Sequence, residues 1–161
     1  MPGEQLTIAS LNTLGVPLTG SRLARRAVIG AGFDACDADV ACFQEVLTYW
    51  HLRLLARRMR SFRHVSYQPT PAGPVGGLVT FSRLPVSAAT YQRFGMPPRV
   101  RGTSWPTRFL AALKGALVTR LASTELCVIN THPAANRDGD WSEANRFYPL
   151  HRAQLAVPRG S

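Results

Sequence analysis

The chain has 161 residues, enough for one domain with a hydrophobic core and little room for a second. A hydrophobic fraction of 45% and a charged fraction of 17% are typical of a folded globular protein and exclude a disordered one. The net charge is +10, and every basic residue except Lys114 is an arginine. Such a charge fits a phosphate-bearing partner, nucleic acid or anionic lipid, although scattered arginines also occur simply as solvated helix faces.

Targeting signals and cysteines add little. No apolar run approaches the roughly 18 residues of a membrane span, so no transmembrane segment is expected. The first ten residues, MPGEQLTIAS, lack a basic segment followed by an apolar stretch. No secretory signal is therefore visible, and a cytoplasmic location is expected. Cys36, Cys42 and Cys127 have no metal-ligand spacing, and their odd number argues against a disulfide framework.

The first third of the chain alternates strand and helix patterns. Residues 5–11 alternate polar and apolar side chains, which predicts a strand with one buried face. Ser21 is a candidate cap for a helix that ends near Gly30 and Gly32. Residues 39–44 form a nearly continuous apolar run, which predicts a strand covered on both faces.

The next segment, residues 47–62, predicts a helix with one apolar stripe and a solvated arginine face. The stripe comprises Leu47, Trp50, Leu54, Leu55, Met59 and Phe62, and the arginines Arg53, Arg57 and Arg60 fall mostly outside it.

Strands separated by turn residues dominate the remainder. The predicted elements are strands at 77–82 and 86–94 around a tight connection, a basic loop at 95–106, a hairpin of 116–121 with 125–130, and a helix at 142–155. These elements predict one α/β unit rich in strands.

Two oxygen-bearing side chains stand at strand ends. Asn12 ends the first predicted strand, and Glu45 follows the buried one. If these strands are neighbours in one sheet, both side chains emerge at the edge where α/β folds bind ligands. Mg²⁺ prefers oxygen ligands and is commonly held by one or two carboxylates. Taken alone, the pair is a weak signal, because an Asn at a strand end is more often a turn residue and a Glu there is often a helix-start residue.

The surrounding sequence resembles the endonuclease/exonuclease/phosphatase (DNase I-like) family in five ordered blocks. These blocks are residues 8–14 (IASLNTL), 38–46 (ADVACFQEV), 76–86 (GGLVTFSRLPV), 114–117 (KGAL) and 129–132 (INTH), and residues 151–155 (HRAQL) are similar to the helix that follows. The Lys-Gly and Asn-Thr-His-Pro blocks favour the sphingomyelinase-like branch. The resemblance implies a β-sandwich flanked by helices, of which this chain has the N-terminal portion and lacks the C-terminal part.

The resemblance also implies site residues and a reaction. Asn12 and Glu45 would bind Mg²⁺, with Mn²⁺ as an alternative, and His132 would contact the scissile phosphate. Lys114 and Asn130 are weaker candidates for contact with the substrate phosphate. The implied function is metal-assisted hydrolysis of a phosphodiester, either a sphingomyelin-type lipid or, as the basic charge favours, DNA or RNA. A non-catalytic remnant or binding module is the alternative from another class.

The sequence departs from the family pattern in one respect. It contains no Asp-x-Asn and no Ser-Asp-His, the later motifs that position water and supply acid–base groups. Asp138, Asp140 and Glu143 are interpreted as loop and helix-start residues, because acidic side chains are typical there. The enzyme assignment is therefore open for these 161 residues.

The expected domain limits follow from the same departure. Residues 1–155 are predicted to form a partial domain, and residues 156–161 a tail whose VPRGS sequence matches a thrombin-site linker. A partial sandwich should leave an apolar sheet face uncovered on strands 6–11, 40–43 and 117–121, which predicts self-association.

Overall fold

Two β-sheets and four helical segments make up the part of the chain that the computed structural model describes, namely residues 5–14, 28–96, 99, 104–122, 125–136 and 138–156. The strands are β1 (Ile8–Asn12), β2 (Val40–Gln44), β3 (His64–Ser66), β4 (Val79–Ser82), β5 (Val86–Arg93), β6 (Gly115–Leu121) and β7 (Cys127–Thr131). The helices are residues 28–34, α1 (Tyr49–Ala56), α2 (Trp105–Ala112) and α3 (Tyr148–Leu155), with a short 3₁₀ turn at Val75–Gly77. The predicted α/β class is confirmed.

The first sheet has the strand order β1-β2-β4-β3. Strand β2 pairs in parallel with β1, with Ile8 opposite Val40 and Asn12 opposite Gln44. On its other side β2 pairs antiparallel with β4, which in turn pairs antiparallel with β3. Every residue of β2 is buried, as its continuous apolar run predicted.

A second sheet, of order β5-β6-β7, covers one face of the first. Val40 and Cys42 of β2 pack with Leu121 of β6 and Val128 of β7 in a shared apolar cluster. The expectation that strands 40–43 and 117–121 would leave an uncovered apolar face is therefore wrong, because each supplies the cover of the other. Exposed apolar residues remain on the outermost strands β1 and β7.

Helices cover the opposite face of the first sheet. The ring centroid of Phe43 in β2 lies 4.8 Å from that of Phe33 in helix 28–34 and 5.6 Å from that of Phe81 in β4. Leu55 of α1 and Met59 just after it are buried in the same cluster. Because β2 and β4 are thus covered on both faces, they form the centre of the fold.

The helix expected from Ser21 differs from the prediction at its end. Residues 28–34 are helical, so Gly30 and Gly32 lie within the helix, and the predicted start at Ser21 lies outside the described residues. Gly30 has a packing role: a Cβ added there would lie only 2.8 Å from Cβ of Arg58. Its missing side chain permits close approach of the two segments.

Helix α1 is shorter than the predicted 47–62. The Thr48 side chain accepts a hydrogen bond from the His51 amide and begins the helix there, which leaves Leu47 outside it. The predicted stripe is correct for Leu55, and also for Met59 and Phe62 in the following turn, but Leu47 and Trp50 are exposed.

The strands predicted at 77–82 and 86–94 are present as β4 and β5. They belong to different sheets, so the short connection at 83–85 carries the chain from one sheet to the other. Two further helices differ from their predictions. Helix α2 lies partly in the predicted loop 95–106: Ser104 caps it, and Pro106 occupies its first turn, where proline is favoured. The last helix, α3, begins at Tyr148 after turns at 142–147.

The chain divides into two units. The first contains the described residues up to Tyr91 together with Leu117–Asn130, and the second contains Gln92–Ala116 and the described residues from Thr131 onward. In the second unit Gln154 of α3 donates to the Ala111 carbonyl of α2 at 3.1 Å and accepts from the Ala134 amide at 3.0 Å. No helix of the described residues is both long and apolar enough to span a membrane.

Gly77 provides a test of the fold. It is buried with φ of +67°, and a Cβ added there would lie 3.0 Å from the Glu45 Cα. Gly77→Ala should lower the free energy of unfolding by about 2 kcal/mol, because an L-residue is strained in this conformation and crowds that backbone. Urea denaturation measures the change.

Gly32→Ala is the matched control, because a Cβ at this helical position meets no atom within 4 Å. It should leave stability unchanged or raise it by up to about 1 kcal/mol. Equal stability of the two variants would contradict the packing assigned to Gly77.

Candidate active site

Asn12 and Glu45 lie together at one edge of the first sheet. Since β1 and β2 run in parallel, their carboxyl ends meet at the same edge, as the sequence required. The Asn12 Nδ2 donates to Glu45 Oε1 at 2.9 Å, and Asn12 Oδ1 accepts from the Leu14 amide at 2.9 Å. Both side chains are partly exposed. The amide of Asn12 thus orients the carboxylate of Glu45 at a surface that solvent reaches.

The backbone of Glu45 is held in an uncommon conformation. Its φ is +62°, in the left-handed region that residues other than glycine rarely adopt. The Val46 amide donates to the Gly77 carbonyl at 2.9 Å, and Gly77 lies against the Glu45 backbone. A residue kept in such a region by its neighbours is typical of sites where side-chain direction has a function. Gly77 therefore helps to hold the Glu45 backbone in this conformation.

A buried amide network lies beside this pair. Asn130 of β7 donates from Nδ2 to the Phe43 carbonyl at 3.1 Å and to the Val79 carbonyl at 3.0 Å. Its Oδ1 accepts from Gln44 Nε2 at 2.8 Å, and the same Gln44 nitrogen lies 3.1 Å from Ser10 Oγ. Asn130 is 1% exposed, so these atoms hold the two sheets together next to Glu45. Its contact with a substrate phosphate stays a prediction.

His132 and Lys114 belong to the second unit. His132 directly follows β7, and Lys114 directly precedes β6. The Thr131 hydroxyl donates to the Gly115 carbonyl at 3.0 Å, which joins the two strand ends that carry these side chains. Both residues are partly exposed. The Lys114 cation and the His132 imidazole are therefore carried at two strand ends that this hydrogen bond joins.

The donor atoms suit a hard cation. Within the described ranges no group of three or more His, Cys, Asp or Glu residues is arranged to hold a metal ion. A structural zinc site would require such a group. Mg²⁺ is instead held by one or two carboxylates with waters and substrate oxygens, and Mn²⁺ accepts similar ligands. The oriented Glu45 carboxylate beside the Asn12 amide fits this requirement.

The acidic residues after His132 have other partners. Arg146 donates two hydrogen bonds to Asp138, each 2.7 Å long, and these hold the pKa of the Asp138 carboxyl below its usual value. Asp140 accepts from the backbone amide and hydroxyl of Ser142, which lowers its pKa in the same way. Glu143 accepts from the Tyr148 hydroxyl at 2.9 Å. These contacts match the loop role interpreted from the sequence, but the helix-start role is wrong, because α3 begins only at Tyr148.

Sequence reasoning did not identify Gln44 and Ser10 as neighbours of the site. Gln44 is the last residue of a strand whose other members are apolar, and a buried polar side chain needs a partner. The need of a buried amide for a hydrogen-bond partner is the feature of the sequence that could have identified Gln44. The partner, Asn130, lies 86 residues away, so only the folded chain reveals the pairing.

The Asn130 network predicts a large effect on stability. Asn130→Ala should lower the free energy of unfolding by about 2–4 kcal/mol, because several buried polar groups lose their partners. Asn136→Ala is the control: this loop asparagine makes hydrogen bonds with Asp138 and Asp140 at a partly exposed position where water can replace them. Chemical denaturation compares the two variants. Similar losses would show that the buried network does not join the sheets.

Comparison with known proteins identifies the fold. No protein family model and no curated protein sequence matches the chain. Solved structures do. A β-hairpin deletion mutant of beta toxin from Staphylococcus aureus superposes with a TM-score of 0.67 at 14% identity over 94% of this chain and 58% of its own. Sphingomyelinase C from Streptomyces griseocarneus gives 0.65 at 17% identity, covering 95% and 56%.

A third structure, an endonuclease/exonuclease/phosphatase family protein from Leptotrichia buccalis, gives a TM-score of 0.54 at 10% identity over 98% of this chain and 63% of its own. The chain thus spans less than two thirds of the length of each of these structures. The superpositions nevertheless cover nearly the whole of this chain. The chain has the DNase I-like fold of these structures.

Proposed function

We propose that the chain carries the metal- and phosphate-binding half of a Mg²⁺-dependent phosphodiesterase. The observation that carries the proposal is the Asn12–Glu45 pair, with Glu45 in a left-handed conformation, at the parallel strand ends of a DNase I-like sheet. Sphingomyelinase C and an endonuclease/exonuclease/phosphatase family protein share this fold. The reaction class is hydrolysis of a phosphodiester by attack of water.

Each candidate residue has a defined task in this proposal. Glu45 and Asn12 would hold Mg²⁺, which when bound offsets negative charge on the phosphate oxygens. The hydrogen bond from Asn12 Nδ2 keeps the Glu45 carboxylate in position for that role. His132 donates a hydrogen bond to a phosphate oxygen, and Lys114 adds positive charge at the neighbouring strand end. Asn130 maintains the sheet geometry beside Glu45.

Orientation of the attacking water requires further groups. Hydrolysis at phosphorus needs a water held in line with the leaving oxygen, and the family uses its Asp-x-Asn and Ser-Asp-His motifs for this purpose. Neither motif occurs in the 161 residues. The residues present therefore account for binding of metal and phosphate but not for activation of water. A non-catalytic binding module remains the alternative from another class.

The substrate proposal follows the structural relatives. A sphingomyelin-type phosphodiester is the first choice, because sphingomyelinase C is among the structures that share the fold. A nucleic acid is the second, because the net charge of +10 favours a polyanion. A cytoplasmic location stays a prediction.

Metal binding tests the site directly. Glu45→Gln should weaken Mg²⁺ or Mn²⁺ binding by roughly tenfold or more, and Asn12→Ala should weaken it less, because a hard cation loses more from a missing charge than from a missing neutral oxygen. His132→Ala should leave the affinity nearly unchanged, because that side chain is assigned to the phosphate. Isothermal titration calorimetry measures all three.

A hydrolysis assay completes this test. The chain should show no appreciable turnover of bis-p-nitrophenyl phosphate, sphingomyelin or plasmid DNA with Mg²⁺, because the water-positioning motifs are absent from it. Turnover abolished by Glu45→Ala would contradict the half-site interpretation. Identical metal affinities in all the variants would overturn the assignment of Asn12 and Glu45.

Self-association is also proposed, now from the sheet edges. Strand β1 lies at one edge of the first sheet and strand β7 at one edge of the second. They expose Ile8 and Ile129, respectively. An exposed apolar edge strand is a template for pairing with another chain. The charge of +10 opposes association at low ionic strength and is screened as salt is added.

Sedimentation velocity should therefore detect oligomers that increase from low to high salt. Ile129→Lys should reduce the amount of oligomer. Leu155→Lys also replaces an exposed apolar residue with lysine, but on α3, and should not reduce it. A monomer at every salt concentration would contradict the proposal.

A further inference from the structure

An open pocket lies between helix 28–34 and the turn that follows α1. Its volume is about 380 Å³, and it is lined by Ala31, Asp34, Ala35, Arg57, Arg58 and Arg60. None of these residues belongs to the candidate active site. Within the described part of the chain, none of the three arginines forms a salt bridge with a carboxylate. Three arginines therefore line one concave surface, with Asp34 as the one acidic residue among them.

Packing places the arginines at this surface. Met59, between Arg58 and Arg60, is 1% exposed and belongs to the main hydrophobic cluster. Phe62, also buried there, fixes the other end of the turn. Because these apolar side chains point into the core, the arginines beside them are directed outward. The pocket wall is thus a consequence of core packing.

Helix 28–34 forms the opposite wall and approaches closely. At Gly30 an added Cβ would meet Arg58 Cβ at 2.8 Å and the Leu55 carbonyl at 3.3 Å, so glycine is needed for this contact. The Asp34 Oδ1 accepts from both the amide and the hydroxyl of Ser61 at 2.7 Å. These bonds link the end of the helix to the arginine turn, residues 57–61. Both walls are therefore held in place by specific contacts.

The charge at the pocket is positive. No acidic residue lies between Glu45 and Glu125 in the sequence. All charged residues of α1 and of the turn that follows it are therefore basic. Asp34 is the one acid in the lining, and its carboxylate accepts the two bonds from Ser61. A cation near the carboxyl end of α1 also stabilises the helix dipole, which accounts for Arg57 and Arg58 but not for Arg60 or the concave shape.

We propose that this pocket binds a phosphomonoester dianion. Planar guanidinium groups pair with phosphate oxygens in a bidentate geometry, and three of them offset a charge of about two. The volume lies at the low end of the roughly 300–1,000 Å³ typical of small-molecule sites, which fits one phosphorylated group. Grouping of the three arginines around one cavity, rather than along a stripe, favours this ligand over a long polyanion. The group belongs either to a soluble phosphorylated compound or to a phosphorylated lipid headgroup.

Calorimetry with chelator present tests the pocket without contribution from the metal site. Wild type should bind inorganic phosphate, and the triple variant Arg57→Ala/Arg58→Ala/Arg60→Ala should bind roughly tenfold more weakly or not at all. The control removes the same charge elsewhere: Arg93→Ala/Arg120→Ala/Arg152→Ala, at three exposed positions, should change affinity less than about threefold. Thermal unfolding verifies that each variant is folded.

Two further variants examine the geometry. The triple arginine-to-lysine change at 57, 58 and 60 keeps the charge but loses the planar fork, so phosphate should bind several-fold more weakly. Gly30→Ala keeps all three arginines but displaces helix 28–34, and it should weaken binding without altering net charge. Wild-type affinity in both variants would overturn the built pocket and leave only general charge attraction.

Vesicle flotation separates the two sources of phosphate. Phosphatidylcholine vesicles containing phosphatidic acid should bind wild type, and not the pocket variant, if a lipid headgroup is the ligand. Binding of inorganic phosphate without vesicle binding identifies a soluble ligand instead. Absence of both, or equal losses in the pocket and control variants, would overturn the proposal. DNA binding lost equally in both triple variants, with no phosphate binding, would show a diffuse polyanion surface in its place.

Discussion

The parallel pairing of β1 with β2 is the constraint on which the site depends. Only in this arrangement do Asn12 and Glu45 emerge at the same edge, where Asn12 donates to the carboxylate at 2.9 Å. A parallel pair needs a crossover between its strands, and the chain between β1 and β2 contains helix 28–34, which packs Phe33 onto Phe43. The crossover that permits the pairing therefore also covers the sheet and forms one wall of the arginine pocket.

Local strain at Glu45 is supported by packing at long range. Its positive φ would be unfavourable in an isolated strand end, but Gly77 lies against its backbone and Asn130 joins β2 to β4 from the second sheet. Rigid sheets on either side can hold one residue in a sparsely populated conformation. The direction of the carboxylate is thus a property of the two-sheet packing rather than of the local sequence.

Patterns that report local burial were readable from the sequence. Residues 39–44 predicted β2 because their apolar run needs cover on both faces, and Asn12 and Glu45 were identified as a pair from their places at strand ends. Features that depend on distant partners were not readable. The cover of β2 by Leu121 and the pairing of Gln44 with Asn130 join residues far apart in the chain. Helix α2 was missed because its Ser104 cap lies in a segment that otherwise reads as a proline-containing loop.

Separation of charge along the sequence makes two opposite kinds of binding compatible in one small chain. A cation site needs a carboxylate in a favourable field, and a phosphate site needs unpaired cations. Acidic residues are confined to the segments before residue 46 and after residue 124. In the segment between them every charged residue is basic. Glu45 is the last carboxylate before that segment, and the arginine turn lies within it. Because interactions between exposed charges fall off over about 8–10 Å in physiological salt, the charges within that distance matter most at each position. The net charge of +10, a property of the whole chain, therefore does not by itself forbid a metal at Glu45.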